Sequence, residues 1–161
     1  PAPYVELQRS GDAGNPNGRG YYVKSGYVHG ITAEAIDVTV DYLESSPLDT
    51  SMIAFANLGG AISHVKPEAT AYWHRAATRD VLVLGFWDDS SGAERSTQWV
   101  RGIWPKLEPL TNGFYVNTGV SDDTQRRVRA AYGDNYPRLV ALKKRYDPTN
   151  LFRLNANIKP T

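Results

Sequence analysis

Three stretches of the chain carry the hydrophobic pattern of β-strands. The run VLVLGFW, from Val81 to Trp87, is continuously apolar and is bounded by Asp80 and by Asp88-Asp89. Such a run favours a central strand that is buried on both faces. The stretch from Tyr21 to His29 is rich in tyrosine and valine, and the stretch from Ser51 to Leu58 contains the segment MIAFANL. We predict a strand at each of these two places as well.

Turn-forming residues set off several shorter segments. Asn112-Gly113 is a tight-turn pair that precedes a short predicted strand at Phe114–Asn117. Gly59-Gly60 forms a turn or a bulge, and Ala61 to Val65 after it is a candidate returning strand. Pro67 to Thr70 is predicted as a loop.

A first helix is predicted after the Tyr21 to His29 strand. Thr32 is a suitable N-cap, because its hydroxyl can accept a hydrogen bond from a free backbone N–H of the first turn. The apolar residues that follow recur at i, i+4 and i+7 and are predicted to form the inward face: Ile36, Val40 and Leu43. The acidic residues Asp37, Asp41 and Glu44 then face solvent, and Ser45-Ser46-Pro47 ends the helix.

A second helix follows Ser90-Ser91-Gly92. Its inward face is predicted from apolar residues at i, i+3, i+4 and i+7, which are Val100, Ile103, Trp104 and Leu107. Pro105 lies inside this pattern. Because proline lacks the N–H group and its ring clashes with the preceding turn, we expect a kink or a break there.

Two further helices are predicted in the C-terminal third. The first has Ser121 as its N-cap, runs to about Ala131 and places Val128 inward. The second has Leu139, Leu142 and Tyr146 at i, i+3 and i+7, and its basic C-terminal half suits the helix dipole. Asp147-Pro148 ends this helix, since the residue before a proline avoids the α region. The Pro148–Phe152 segment is expected to turn and to place Leu151 and Phe152 in the core.

The order of these elements predicts an α+β fold, a mostly antiparallel sheet with helices packed on one side. A chain of 161 residues suits one domain, so residues 1–161 are assigned to a single domain. Residues 1–20 are predicted to be an irregular opening segment, since GDAGNPNGRG is dense in turn formers. The chain begins PAPYVELQ, which is typical of a cut or processed end and leaves the cellular location unknown.

Composition and charge exclude several classes of function. The chain has no cysteine, which excludes disulfides, thiolate catalysis and a cysteinyl link to a cofactor from within it. The net charge of +1 gives no reason to expect a nucleic acid or an anionic membrane as partner. No apolar run is long enough to span a bilayer. The histidines His29, His64 and His74 lack metal-ligand spacing, so no metal is expected. The basic cluster Arg126, Arg127 and Arg129 is predicted to be a solvated face.

The most specific sequence is YGDNYPRLVALKKRYDPTNLFRLNANIKP, from Tyr132 to Pro160. It resembles the C-terminal end of berberine-bridge-enzyme-like flavin oxidoreductases, within the vanillyl-alcohol-oxidase class. The matching residues are Tyr132, Gly133, Asn135, Tyr136, Arg138, Leu139, Leu142, Lys144 (or Lys143), Tyr146, Asp147, Pro148, Asn150, Phe152, Asn157, Ile158 and Pro160. The family resemblance extends in the correct order to LGGAISHVKPEATAYWHR, from Leu58 to Arg75. His74-Arg75 is the one pair there that resembles a catalytic pair, and we favour a structural role for it.

The resemblance implies FAD as cofactor and a small-molecule substrate. In that family a Tyr-x-Asn segment lies beside the flavin ring, which makes Tyr115 the candidate catalytic base and Asn117 a flavin contact. A tyrosine can take a hydroxyl proton when nearby positive or dipolar groups favour its ionised form. Many members carry a second tyrosine directly after the asparagine, where this chain has Thr118. If that tyrosine is required, Tyr115 only orients the substrate, or the activity differs.

The resemblance also suggests that the Asn135 side chain reaches the cofactor, whereas the residue pattern alone favours an N-cap of the last helix. Without the family, the residues favour a structural interpretation, in which Tyr115 is an edge-strand tyrosine with its hydroxyl in water and Asn117 closes a turn.

The chain resembles only the C-terminal, substrate-domain part of such an enzyme. The N-terminal FAD-binding domain is absent from it, and no glycine-rich phosphate loop replaces that domain. We therefore predict a substrate domain that takes part in hydride transfer from a substrate carbon, of an alcohol or similar compound, to flavin. The chain alone is predicted to be inactive. The alternatives are a non-catalytic, stand-alone α+β ligand-binding module, which would have no large exposed apolar surface, and a small enzyme in its own right, for which we find no acid–base pair.

Overall fold

A computed structural model describes residues 2–44, 51–119, 123–154 and 156–161 of the chain. Its helices are α1 (Tyr4–Arg9), α2 (Ala33–Glu44), α3 (Ala93–Leu107), α4 (Gln125–Tyr132) and α5 (Tyr136–Tyr146). Its strands are β1 (Gly20–Val28), β2 (Met52–Asn57) and β3 (Arg79–Trp87). The α+β prediction is confirmed, as are the three main strands. Within the opening segment, the structure has a short helix, α1, where the sequence predicted only irregular chain.

The strands form an antiparallel sheet in the order β1-β3-β2. The predicted apolar run is therefore the central strand, as expected. One face of β3 presents Val81 and Val83, which are fully buried under α3. Gly85 lies on the same face, where a Cβ atom would come within 2.7 Å of the Ser96 carbonyl oxygen. The opposite face, which carries Leu82 and Leu84, is only partly buried.

Helix α3 supplies the centre of the core. The four residues predicted to face inward are all buried, together with Trp99: Val100, Ile103, Trp104 and Leu107. The break that was one of the two expectations at Pro105 is not found, since α3 continues to Leu107. The helix ends only two residues later at Leu107, so the hydrogen bond that Pro105 cannot donate lies in the last turn, and the buried side chains on either side hold that turn in place.

Helix α2 starts as predicted, since the Thr32 hydroxyl accepts a hydrogen bond from the Ala35 N–H at 3.1 Å. Its inward face was predicted wrongly, because Ile36, Val40 and Leu43 are exposed. Tyr42 sets the face instead: its hydroxyl donates to the Trp99 carbonyl at 2.9 Å, in space left open by Gly102 of α3. The predicted helix end at Ser45-Ser46-Pro47 lies outside the described residues.

The segment after β2 is not a strand. Residues Gly60–His64 form a 3₁₀ turn in which no residue is buried, so the candidate strand from Ala61 to Val65 is wrong. Gly60 has φ of +59°, a left-handed conformation that bends the chain away from the sheet. The predicted loop from Pro67 to Thr70 contains a second 3₁₀ turn, Pro67–Ala69.

Helix α4 begins at Gln125, with Thr124 as its N-cap, and the Thr124 hydroxyl accepts from the Arg127 N–H at 3.3 Å. The predicted cap Ser121 lies outside the described residues. Val128 is buried, as predicted.

Arg127 is buried too, so the prediction of a solvated basic face is wrong for this residue, whereas Arg126 and Arg129 are exposed as predicted. The Arg127 Nε lies 2.8 Å from Asp123 Oδ1, which also binds Lys24 Nζ at 2.8 Å, and its guanidinium lies over the Trp104 and Phe114 rings. A buried arginine is tolerated here because a buried carboxylate and two aromatic faces surround it.

Helix α5 ends at Tyr146, before Asp147-Pro148, as predicted. Its expected inward face is not buried, since Leu142 and Tyr146 are exposed. Leu151 and Phe152 do not enter the core either. The Asp147 carboxylate accepts hydrogen bonds from both of their N–H groups, at 2.7 and 3.1 Å, which fixes the turn with the two side chains directed outward.

Candidate functional site

The segment that carries Tyr115 is a turn rather than the predicted strand Phe114–Asn117. Phe114 is buried, and a 3₁₀ turn then covers Val116–Thr118. The turn forms because the Tyr115 carbonyl accepts two hydrogen bonds from Thr118, one from its N–H at 2.9 Å and one from its hydroxyl at 2.7 Å. The Thr118 hydroxyl also lies 2.5 Å from the Ser25 hydroxyl of β1. Thr118 thus anchors the turn to the sheet.

Tyr115 and Asn117 are brought together by this turn. The Asn117 side-chain N–H donates to the Tyr115 hydroxyl oxygen at 2.7 Å. Both side chains are partly open to solvent, Tyr115 with 41% of its surface exposed.

A cavity of about 330 Å³ lies beside Tyr115, on the sheet face opposite α3. We call it the tyrosine cavity, after Tyr27, Tyr72 and Tyr115. These three tyrosines line it together with Leu58, Ile62, Arg75 and Asp80. It is therefore mostly apolar with a few polar groups, the usual composition of a small-molecule site.

Tyr27 forms the floor of this cavity. It is almost fully buried in β1, and its ring meets Tyr72 edge-on at a centroid distance of 5.9 Å. Burial raises the pKa of Tyr27 far above its ordinary value, and the Tyr72 hydrogen bond and the nearby Asp80 act in the same direction. Tyr27 therefore stays neutral and serves as a wall and hydrogen-bonding group.

Asp80 is a second polar group of the cavity, and the sequence analysis missed it. It was taken for the boundary of the apolar run, although it belongs to β3 and shares a face with Leu82 and Leu84. The alternation of side chains along the strand was the signal that could have placed it there. Asp80 is 7% exposed, and burial raises its pKa to about 7, while the Gly26 backbone hydrogen bond acts against this.

His74 and Arg75 hold the wall in place, in line with the structural role favoured for them. His74 Nε2 lies 2.8 Å from the Ala130 carbonyl oxygen, and its ring lies 4.8 Å from that of Tyr27. Burial lowers the pKa of His74, partly offset by the Ala130 hydrogen bond.

Arg75 fixes the loop above the cavity. Its guanidinium donates to the carbonyl oxygens of Tyr72 and Ile62 and to the Thr70 hydroxyl, at 3.2, 3.3 and 2.6 Å. It also lies over the Tyr72 ring. These hydrogen bonds join the two ends of the segment 62–75 and so hold it as a compact loop.

Asn135 lies apart from Tyr115 and Asn117. Its side chain is buried, and its Nδ2 donates to the carbonyl oxygens of Pro67 and Thr70, at 2.8 and 2.9 Å. Asn135 occupies the N-cap position of α5, as the residue pattern favoured, but its side chain makes no capping hydrogen bond. Its amide nitrogen joins α5 to the 67–70 turn, which leaves the amide oxygen as the group that could contact a cofactor.

The side chains present fit a flavin contact only in part. Asn117 is accessible beside the cavity, but the described residues hold no glycine-rich loop that could bind the phosphates of FAD. In the described ranges, no group of three His, Asp or Glu side chains is placed to hold a metal ion. No helix in the same ranges is both long enough and apolar enough to cross a membrane.

Residues 114–159 match the family model "Berberine and berberine like", a range that includes Tyr115, Asn117 and Asn135. Over 160 residues the chain is 30% identical to an FAD-linked oxidoreductase of Dictyostelium discoideum, covering 98% of this chain and 35% of that protein. The chain thus spans about a third of the length of the curated relatives it matches.

Solved structures show the same fold. The flavoenzyme CrmK, involved in shunt product recycling in caerulomycin biosynthesis, superposes with a TM-score of 0.80 at 23% identity, over 95% of this chain and 36% of its own. The gilvocarcin-pathway oxidoreductase GilR superposes with a TM-score of 0.75 at 26% identity, over 85% of this chain and 32% of its own. The chain therefore belongs to the berberine-bridge-enzyme-like FAD-linked oxidoreductases, as a part that spans about a third of such a protein.

Proposed function

We propose that this chain is the substrate domain of an FAD-dependent oxidase or dehydrogenase, in which Tyr115 is the base that takes a proton from a substrate hydroxyl. The observation that carries the proposal is the Asn117 hydrogen bond to the Tyr115 hydroxyl beside the tyrosine cavity. It joins a proton acceptor, a group that stabilises the acceptor's charge, and space for a small molecule.

The residues of this chain orient the substrate and hold the proton. The apolar walls, Leu58 and Ile62, keep water from the substrate carbon, and Tyr27 and Tyr72 pack against its body. The Tyr115 oxygen receives the hydroxyl proton while the Asn117 N–H stabilises the phenolate. When bound, FAD would supply the acceptor for the hydride from that carbon. Thr118 takes no proton, because its hydroxyl is engaged with Ser25 and the Tyr115 carbonyl.

Asn117 and Asn135 are proposed as the contacts of this chain with the flavin. Asn117 would reach it from beside Tyr115, to which its side chain is hydrogen-bonded. Asn135 would reach it through its amide oxygen, since its nitrogen is bound to Pro67 and Thr70. The phosphates of FAD need binding groups from elsewhere. We therefore propose an N-terminal FAD-binding domain as the partner of this chain.

Exposed apolar residues support a missing partner. Large apolar side chains of α5 and the following segment are open to solvent: Leu142, Tyr146, Leu151, Phe152 and Leu154. We call these five residues the C-terminal apolar surface. The Ile36, Val40 and Leu43 ridge of α2 is exposed as well. A monomer rarely leaves so many large apolar side chains uncovered, which argues against the stand-alone module.

The proposal is tested by Tyr115→Phe in the flavin-containing gene product, with stopped-flow measurement of flavin bleaching by substrate. Loss of the base is expected to slow reduction roughly a hundredfold to ten-thousandfold. Tyr4→Phe, at an exposed tyrosine of α1, is the control and should leave the rate unchanged. An unchanged rate in Tyr115→Phe would show that Tyr115 is at most an orienting residue. Turnover by the isolated 161 residues with free FAD would contradict the expectation that they are inactive alone.

A further inference from the structure

Arg127 is a buried cation whose contacts converge on the turn that carries Tyr115. Its guanidinium carbon lies 4.7 Å from the centre of the Phe114 ring, and Phe114 directly precedes Tyr115. Its Nη2 donates a hydrogen bond to the Ser25 carbonyl oxygen at 3.0 Å. One guanidinium group therefore contacts the residue at the start of the turn and the strand residue to which the end of the turn is bound.

The end of the turn is bound to β1 through hydroxyl groups. The Thr118 hydroxyl lies 2.5 Å from the Ser25 hydroxyl and donates to the Tyr115 carbonyl oxygen at 2.7 Å. Because a hydroxyl has a single proton, the Ser25 hydroxyl is the donor of the bond that it shares with Thr118. A continuous path of hydrogen bonds thus runs from Arg127 through Ser25 and Thr118 to the backbone of Tyr115.

Other contacts hold the segment before Phe114. The Tyr27 N–H donates to the Gly113 carbonyl oxygen at 3.1 Å, and the Asn112 N–H donates to the Tyr27 carbonyl oxygen at 2.8 Å. These bonds fix the chain as far as Gly113 and do not involve residues 115–118. Loss of the Arg127 contacts is therefore expected to change the shape of the turn without detaching the segment from β1.

The chemistry of the guanidinium group explains why an arginine is needed here. A guanidinium is planar, so it can lie over the Phe114 ring with its face and donate hydrogen bonds from its edge at the same time. Asp123 accepts from the Arg127 Nε at 2.8 Å and so fixes the orientation of the plane. A lysine would keep the positive charge and an ion pair with Asp123, but its single ammonium group could not also cover Phe114 and reach Ser25.

We propose that Arg127 is a positioning residue of the candidate site, which places Tyr115 and Asn117 by holding both ends of their turn. The hydrogen bond from Asn117 Nδ2 to the Tyr115 hydroxyl, at 2.7 Å, depends on the shape of that turn. The effect of Arg127 on flavin reduction rests on the function proposed above, whereas its effect on this hydrogen bond does not.

The first measurement is the side-chain amide NMR signal of Asn117 in the native gene product, isotopically labelled at asparagine and assigned by the loss of the signal in Asn117→Ala. Tyr115→Phe removes the acceptor and gives the position of the signal without the hydrogen bond. We expect Arg127→Lys to move the wild-type signal towards that position. Arg126→Lys is the matched control, at an exposed arginine that shares the partner Glu108, and should leave the signal in place.

The second measurement is the rate of flavin reduction by substrate in the flavin-containing gene product. Arg127→Lys is expected to slow it by up to about a hundredfold, the cost of displacing a reacting group by roughly 1 Å. In the Tyr115→Phe background the same substitution should have no further effect, because Arg127 acts through Tyr115. A purely structural role would lower the unfolding midpoint and leave the Asn117 signal of the folded protein unchanged.

Ser25→Ala covers the case in which Arg127→Lys does not fold. It removes only the hydroxyl that joins β1 to Thr118, and it should move the Asn117 signal in the same direction. The proposal is overturned if either folded variant leaves that signal at its wild-type position, or if Arg127→Lys slows flavin reduction equally with and without the Tyr115 hydroxyl. An unchanged rate in Tyr115→Phe would instead refute the proposed function and leave the NMR result standing.

Discussion

Asp80 and Tyr27 are direct partners in the antiparallel register of β3 and β1, and both side chains line the tyrosine cavity. The pairing places an acid and a phenol side by side in a mostly apolar site, and burial raises the pKa of both groups. Burial therefore favours the uncharged forms of Tyr27 and Asp80, and the Arg75 guanidinium is the charged group in the cavity wall.

Asp80 makes the stability of the chain depend on pH. Burial raises its pKa from 3.8 to about 7, so the folded chain retains a proton that the unfolded chain has released. The free energy of unfolding therefore falls as the pH rises through the interval between these values, by up to about 4 kcal/mol. Asp80→Asn removes the titration. We expect it to flatten this dependence in urea denaturation between about pH 4 and 7, the interval between the two pKa values.

The control for this prediction is Asp88→Asn, at an exposed residue that directly follows β3. It removes a surface ion pair with Arg19 and is expected to leave the pH dependence unchanged. The other ionisable groups that line the cavity are Tyr27, Tyr72, Tyr115 and Arg75. If the wild type and Asp80→Asn lose stability equally between about pH 4 and 7, Asp80 is not the group responsible.

The ion cluster of Lys24, Asp123 and Arg127 is predicted to be essential for folding stability. Asp123 Oδ1 lies 2.8 Å from both cationic groups, and all three side chains are at most 9% exposed. Asp123→Ala removes the buried carboxylate that both cations contact, while Arg127 keeps its longer ion pair with Glu108 at 3.5 Å. The substitution is expected to cost about 3–5 kcal/mol in chemical denaturation. Arg126→Ala, at a neighbouring side chain that is 81% exposed, should cost less than about 0.5 kcal/mol. Equal effects of the two substitutions would contradict the burial of the cluster.

The C-terminal apolar surface is predicted to contribute to association rather than to folding of the chain. Phe152 is 76% exposed, so Phe152→Ser should change the free energy of unfolding by no more than about 0.5 kcal/mol. It should reduce the binding of a hydrophobic fluorescent dye and any self-association in sedimentation experiments. Phe114→Ser, at a buried ring, is the contrasting variant and should destabilise the chain by about 3–5 kcal/mol. A large loss of stability in Phe152→Ser would mean that the segment is part of the core.

The strands and α3 could be predicted from the sequence because the spacing of their own apolar residues shows which side chains are buried. The run from Val81 to Trp87 has no polar position that could face water, and α3 repeats its apolar residues at one helical spacing. The face of α2 could not be predicted in the same way. The apolar residues Ile36, Val40 and Leu43 recur at helical spacing, which predicted that they face inward. The Tyr42 contact with Trp99 instead turns them towards solvent.

The candidate site was predictable in part. The motif around Tyr115 and Asn117 gave two residues that the structure places within hydrogen-bonding distance. Asp80 was missed because an acid next to an apolar run was taken as its boundary, whereas the pairing with Tyr27 places it inside the sheet. Contacts between distant segments, such as Asn135 with Pro67 and Thr70, depend on tertiary packing that no local pattern encodes.

The central claim, that this chain acts as the substrate domain of a flavoenzyme, is tested most directly by the mass and visible absorption spectrum of the native gene product, purified from its source. The account predicts a yellow protein well above 17.8 kDa, whose absorption bleaches on reduction by substrate. A colourless native protein of 17.8 kDa would contradict it.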